Sequence, residues 1–241
     1  MTESRRARGR RIFEVRAVVA FVAAVLFAVL AVLVRGSFAP IIRLDRRTSA
    51  RLHGYALSHS GFTSIMRAVS NAGTTLVWTI VMLLVVCWLL YRRLFRLAIF
   101  VVVTDAGSLL LNNLIKLAVG RARPHLSDPV ALAAGKSFPS GHSQAAIVGF
   151  AILLAVFLPA VARGWRPVLI VVAAFLVLLI GFSRIALGVH YLSDVVGAFL
   201  IGTVWFIGMA SAFGAWRQAT GQPAPSVTEG LEPEHGDRLT P

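Results

Sequence analysis

Apolar residues run without a charged interruption from Ala17 to Val34, a length that predicts a helix crossing the hydrocarbon layer of a bilayer. Five more stretches repeat the pattern: about Thr74 to Tyr91, Leu97 to Val119, His142 to Val161, Val168 to Phe182 and His190 to Trp216. The third differs from the others because it carries Asp105, Asn112, Asn113 and Lys116. At about 100° per residue, Asp105, Leu109, Asn112 and Lys116 share one narrow stripe, which must turn toward the bundle interior. Asp105 and Asn112 are expected to hydrogen-bond between helices. Residues 36–73 mix Arg43, Asp45, Arg46, Arg47 and Arg51 with Ile42, Leu44, Leu52, Tyr55 and Leu57, a pattern that fits a segment lying in the membrane interface.

Composition agrees with a membrane protein. The 241 residues are 57% hydrophobic and only 14% charged, and the mean hydropathy is +0.78. The fold class expected is all-α, a polytopic integral membrane bundle of about six transmembrane helices. A net charge of +14 could signal nucleic acid, anionic lipid or membrane topology. With most of the chain in lipid, topology and lipid head groups lead, and no nucleic-acid partner is expected. The single cysteine, Cys87, lies in an apolar run, so neither an intrachain disulfide nor a cysteine-based metal site can form.

The basic loops set an orientation. Residues 1–16 form a basic tail, and basic loops also follow the second helix (Tyr91 to Arg96) and the fourth (Ala162 to Pro167). By the positive-inside tendency these lie in the cytoplasm, with both termini. The start resembles a signal peptide, but the apolar run is long and Val34-Arg-Gly-Ser-Phe38 is a poor cleavage site, so a retained helix is expected. The membrane domain then spans 17–216. Residues 217–241, rich in Pro, Gly, Glu and Thr, read as a disordered cytoplasmic tail. The arginines of 36–73 fall on the external side, against the trend.

On the opposite face, three polar clusters sit at helix ends, within 116–142 and 183–194. The first holds Lys116 and, seven residues on, Arg123 before Pro124. The second is Phe138-Pro-Ser140-Gly141-His142-Ser143, a turn opening a helix, whose amides and dipole form an anion site. Ser140 adds a hydroxyl donor, and Gly141 permits close backbone approach. The third runs from Ser183-Arg184 to His190 and Asp194. If a helix begins near His190, His190 and Asp194 share a face, the carboxylate accepts a hydrogen bond from one ring nitrogen, and the other keeps its lone pair as a nucleophile. Arg184 offers a planar fork suited to phosphate oxygens. Taken alone, this third stretch reads equally well as a buried Arg–Asp pair with an incidental histidine. Together the clusters supply three cations, two histidines and a carboxylate, a set that could hold a tetrahedral or trigonal-bipyramidal oxyanion.

The ordered pattern Lys-x6-Arg-Pro, Pro-Ser-Gly-His, Ser-Arg-x5-His-x3-Asp, present here without substitution from Lys116 to Asp194, resembles the three-part signature of the type 2 phosphatidic acid phosphatase family, which is related to the vanadium haloperoxidases. The resemblance implies a metal-independent phosphatase with no cofactor. In it, His190 attacks phosphorus, Asp194 orients His190, and His142 protonates the leaving oxygen and then activates water against the phosphohistidine. Lys116, Arg123, Ser140, Gly141 and Arg184 would bind the phosphate oxygens. The substrate expected is a membrane lipid phosphate or diphosphate: phosphatidic acid, phosphatidylglycerol phosphate or a polyprenyl carrier. The place expected is the cell (plasma) membrane, multi-pass, with the site on the extracytoplasmic face. One imidazole must act neutral and one charged, so a bell-shaped pH dependence is expected.

Two other classes compete with this reading. One is a vanadate-dependent haloperoxidase, whose relatives are soluble, and the other is a non-catalytic lipid-phosphate-binding membrane protein. His53 and His59 are expected to be solvated or head-group-facing, and His125 and Lys136 to be loop residues. Nothing in the sequence sets the oligomeric state.

Overall fold

The computed structural model describes residues 2–126, 129–131, 133–222 and 230–239. It contains eight α-helices: α1 (Thr2–Arg35), α2 (Ala39–Ser58), α3 (Ser60–Ala72), α4 (Thr75–Tyr91), α5 (Phe95–Val119), α6 (Gly141–Phe157), α7 (Arg166–Ala186) and α8 (Leu192–Ala219). Five stretches are long and apolar enough to cross a membrane: Glu14–Arg35, Phe95–Val119, Gly141–Ala160, Arg163–Ala186 and Leu192–Ala219. The pair α3 and α4, bent by 41° at their break, supplies a sixth when taken as one span. The chain is therefore an all-helical, multi-pass membrane protein. The bend lies where Gly73 and Thr74 separate the helices, with the Thr74 hydroxyl accepting from the Val77 N–H at 3.3 Å.

α8 packs against α1 and α6, and α6 also packs against α5 and α7. Glycines let these helices approach closely. A Cβ on Gly149 would stand 2.2 Å from the Trp78 ring, and one on Gly107 would stand 2.3 Å from Trp205. The polar stripe of α5 turns inward at Asn112, which is buried, while Asp105 and Lys116 are half-buried and Leu109 is exposed. Asn112 donates to Gln144 Oε1 at 2.8 Å, and Gln144 donates to the Ser108 carbonyl at 2.9 Å and hydroxyl at 3.0 Å. These bonds join α5 to α6 where lipid offers no partners.

The mixed segment 36–73 forms α2 and α3, both packed on α7. The buried face of α2 is Asp45, Ser49, His53 and Ala56, at helical spacing, while Arg43, Arg46, Arg47 and Arg51 are exposed. His53, expected to be solvated, is instead buried. His59 is exposed and stacks on Tyr55.

Both ends of the chain depart from the expected tails. Helix α1 begins at Thr2, so the basic stretch continues the first helix. After α8, residues 230–239 fold back as a short 3-10 helix, Pro233–Arg238, against the turn at Leu158–Ala160. Leu231 and Leu239 join the main apolar core. Arg217, with no exposed surface, pairs with Glu234 at 2.7 Å and with Glu232 at 3.4 Å. Residues 223–229 and 240–241 lie outside the described residues. A composition-based reading missed this packing because two leucines and one ion-pair cluster carry it.

Arg217→Ala would leave the buried Glu232 carboxylate without its guanidinium and is expected to destabilise the fold by roughly 3–5 kcal/mol. Thermal unfolding in detergent checks this; an unchanged midpoint would mean that the tail is not anchored there.

Candidate active site

The antiparallel run of α5 to α8 puts the C-termini of α5 and α7 and the N-termini of α6 and α8 at one end of the bundle. All three clusters therefore meet there. A cleft of about 570 Å³ is lined by Lys116, Arg123, Gly141, His142, Arg184 and His190, along with Arg67, Ser70, Asn71, Thr74 and Thr75 from α3 and the start of α4. Six of the eight residues singled out from sequence thus face one space. Ser140 and Asp194 are not among the lining residues; both are fully buried behind it.

His190 belongs to no helix. Helix α7 ends at Ala186, and the chain turns through Gly188, whose φ of +69° is left-handed and suits glycine, before α8 starts at Leu192. The expected helical face shared by His190 and Asp194 is thus replaced by a loop residue facing the first turn of a helix. The side chains still meet, with Nδ1 3.4 Å from Asp194 Oδ2. The Ser137 hydroxyl also stands 3.4 Å from Nδ1. On the other side of the ring, Arg123 Nη1 lies 2.9 Å from Nε2. A guanidinium can only donate, so Nε2 carries the lone pair and Nδ1 carries the proton, facing Asp194. Arg123 is held in turn by the carbonyls of Ala134, Gly135 and Val189.

Burial of the imidazole pushes the His190 pKa down to about 4, overcoming the upward pull of Asp194; Arg123 and Arg184 push the same way as burial. The ring is therefore neutral at physiological pH. Because the folded value lies below the unfolded 6.5, the unfolded chain takes up a proton first, and this group costs stability as pH falls from about 6.5 to about 4.

Asp194 is fixed by several donors. Ser137 Oγ–H and the Tyr191 N–H (2.8 Å) reach Oδ2, and Arg121 Nη1 reaches Oδ1 at 2.6 Å. Neither Ser137 nor Arg121 was singled out from sequence: Arg121 is a spacer inside Lys-x6-Arg-Pro, and Ser137 precedes the Pro-Ser-Gly-His turn. The backbone ties the clusters together as well, with Ser140 N–H donating to the Asp194 carbonyl at 3.1 Å and Ser137 N–H to that of Arg121 at 2.8 Å. Ser140 Oγ accepts from Ser143 at 3.0 Å, so its own proton remains to donate. Gly141 brings the start of α6 close to α5: a Cβ there would lie 3.5 Å from Lys116 Nζ. Arg184 is buried and donates to Ser70 Oγ, while its Nε has no hydrogen-bond partner among the described residues. His125 and Lys136 are exposed and do not line the cleft.

Chemically, the cleft holds cations, N–H groups at the first turn of α6 and two imidazoles, with no carboxylate lining it among the described residues. It suits an anion with several oxygens. Titration of His190 by 15N NMR is expected to show a midpoint near 4, moving lower still in Asp194→Asn, because the carboxylate's upward pull is lost. A midpoint near 6.5 would contradict the buried, neutral ring.

Comparison with known proteins places the chain. Residues 96–218 match the PAP2 superfamily. The chain is 36% identical over 100 residues to phosphatidylglycerophosphatase B of Bacillus subtilis (strain 168), covering 40% of this chain and 48% of that protein. It is 30% identical over 158 residues to the undecaprenyl-diphosphatase BcrC of the same organism, covering 64% of this chain and 76% of that one. The match to the phosphatidylglycerophosphatase thus spans about half of that relative's length. The fold is similar to the crystal structure of a transmembrane PAP2 type phosphatidylglycerolphosphate phosphatase from Bacillus subtilis, with a TM-score of 0.68 at 22% identity over 80% of this chain and 94% of that one. From the matched region and the relative spanned over three quarters of its length, the chain belongs to the PAP2 superfamily.

Proposed function

We propose that the protein is a lipid phosphatase that hydrolyses a phosphate or diphosphate group on a membrane lipid, with His190 as nucleophile. The observation that carries this reading is the single cleft at one end of a membrane bundle, lined at once by Lys116, Arg123, Gly141, His142, Arg184 and His190. Membership of the superfamily and the activities for which the relatives are named, a phosphatidylglycerophosphatase and an undecaprenyl-diphosphatase, support it.

In the reaction, Nε2 of His190 attacks phosphorus in line with the lipid oxygen. Arg123 must first release Nε2, transferring its hydrogen bond from the ring to a phosphate oxygen. Asp194 holds the Nδ1 proton and stabilises the positive charge that develops on the ring as the N–P bond forms. Lys116, Arg123, Arg184 and the amide of Gly141 neutralise the equatorial oxygens, with the Ser140 hydroxyl as a further donor from behind. Arg184 has its Nε free to donate once phosphate is present. His142 gives a proton to the departing lipid oxygen, then takes one from the water that cleaves the phosphohistidine. Charge neutralisation falls to three side-chain cations, so the chemistry is assigned to the chain alone, without metal or cofactor.

A lipid is the substrate this reading favours, because the cleft lies at one end of helices long and apolar enough to cross a membrane, where a tethered head group can reach it. Phosphatidylglycerol phosphate and polyprenyl diphosphate lead, ahead of phosphatidic acid. The site is assigned to the extracytoplasmic face of the plasma membrane, from the basic loops at the other end of the bundle. An impermeant thiol reagent should label Lys136→Cys, in a Cys87→Ser background, on intact cells; labelling only after lysis would reverse the assignment.

With excess chelator, the purified protein should release phosphate from at least one lipid in a panel of these three. His190→Ala should abolish turnover, and His142→Ala should lower it by roughly 10²–10⁴-fold. The rate should be bell-shaped in pH. Release that depends on added metal, or equal release by His190→Ala, would overturn the mechanism.

A further inference from the structure

Helix α2 lies outside the region that matches the superfamily, yet one of its side chains reaches the centre of the site's supporting network. Asp45 is 1% exposed. Its Oδ2 accepts from Arg121 Nη2 at 2.6 Å and from Ser193 Oγ at 2.5 Å, and its Oδ1 accepts from the Ser193 N–H at 3.0 Å. Arg121 spends its other arm, Nη1, on Asp194 Oδ1 and Ser193 Oγ, both at 2.6 Å. The guanidinium lies 4.2 Å from the centre of the Tyr191 ring, which fixes its plane.

A guanidinium fork commonly grips one carboxylate with two parallel bonds. Here the fork is split between two carboxylates, and the split has consequences. Asp194 keeps Oδ2 turned toward His190, because Arg121 claims only Oδ1. The buried trio of two carboxylates and one guanidinium also retains a net negative charge beside the imidazole. In a low-dielectric interior that charge is strongly felt. Without Asp45, both arms of Arg121 could close on Asp194, drawing Oδ2 off the ring and cancelling its charge. Asp45 also holds the first turn of α8 from outside that helix, through the Ser193 N–H, so the same carboxylate fixes the backbone that carries Asp194.

We infer that Asp45 is a positioning residue for the reaction, acting through Arg121 and Ser193 to hold the Asp194 carboxylate against the Nδ1–H of His190. It touches neither the cleft nor any reacting atom. The inference rests on the reading of His190 as nucleophile.

The test uses the full-length protein in detergent with Asp45→Asn, Asp45→Glu and Arg121→Lys. Asparagine can still accept the Ser193 N–H, which preserves the helix start, but it lacks the charge that divides Arg121. Asp45→Asn is expected to lower kcat about tenfold or more, with KM changing by no more than about twofold, while Asp45→Glu restores part of the rate. Arg121→Lys and Asp45→Asn together should cost little more than the larger single effect, because both act on Asp194 by one route. The Nδ1–H proton of His190, read in a 1H–15N spectrum, should lie downfield in the parent, as for a bond to a carboxylate, and move upfield in Asp45→Asn as Asp194 draws away.

A folded Asp45→Asn protein with parental kcat and an unshifted His190 Nδ1–H signal would overturn the inference. So would a loss of rate accompanied by a lowered melting point and an unshifted Nδ1–H signal, which marks a purely structural role. The Nδ1–H readout needs no substrate. A parent protein that releases no phosphate from any lipid would therefore count against the phosphatase reading and leave this one to be judged by the Nδ1–H signal.

Discussion

Asp194 has no exposed surface, and a carboxylate taken from water costs several kcal/mol unless donors surround it. The architecture around the cleft answers that requirement. Ser137 comes from the loop before α6, Arg121 from the end of the α5 crossing and the Tyr191 N–H from the turn before α8, and all converge on the two oxygens. Two of these donors are tied to other elements, Ser137 to Arg121 through the backbone and Arg121 to Asp45, and Asp194 itself is tied to Ser140 through its carbonyl. One buried charge thus brings together parts of the chain distant in sequence, and His190 takes its orientation from the result.

The membrane supplies the second constraint. Lipid satisfies no polar group, so backbone bonds must close within helices and polar side chains must meet inside the bundle. The pairing of Asn112 with Gln144 and of Trp205 Nε1 with the Thr104 carbonyl, at 2.8 Å each, follows from that rule. Four consecutive crossings also force alternate loops to one face. A site assembled from loops and helix ends can then gather residues 116 to 194 at one place, while the rest of each helix needs only to be apolar and to pack.

The same physics explains what the sequence disclosed. The spans were legible because their apolar runs are long, and alternation of faces alone puts Lys116, Arg123, His142, Arg184 and His190 at one end of the bundle. Arg121, Ser137 and Asp45 were not legible. A spacer residue inside a motif carries no periodic signal, and Asp45 lies on a helix whose buried face is largely polar, so hydropathy reads the helix as a surface segment. The packing of Leu231 and Leu239 was hidden in a stretch whose overall composition resembles a disordered tail. His190 and Asp194 met as expected, though through a turn and a helix start rather than along one helix.

The central claim is that a neutral His190, with its lone pair on Nε2, forms a covalent bond to phosphorus. The most direct measurement is to mix lipid labelled with 32P in the phosphate with His142→Ala protein, quench in alkali, and map the label. The account predicts an acid-labile, alkali-stable phosphoryl group on the peptide containing His190, absent when His190 is also replaced. Turnover of the same lipid by the parent protein, with no label on that peptide in any quenched sample, would contradict it.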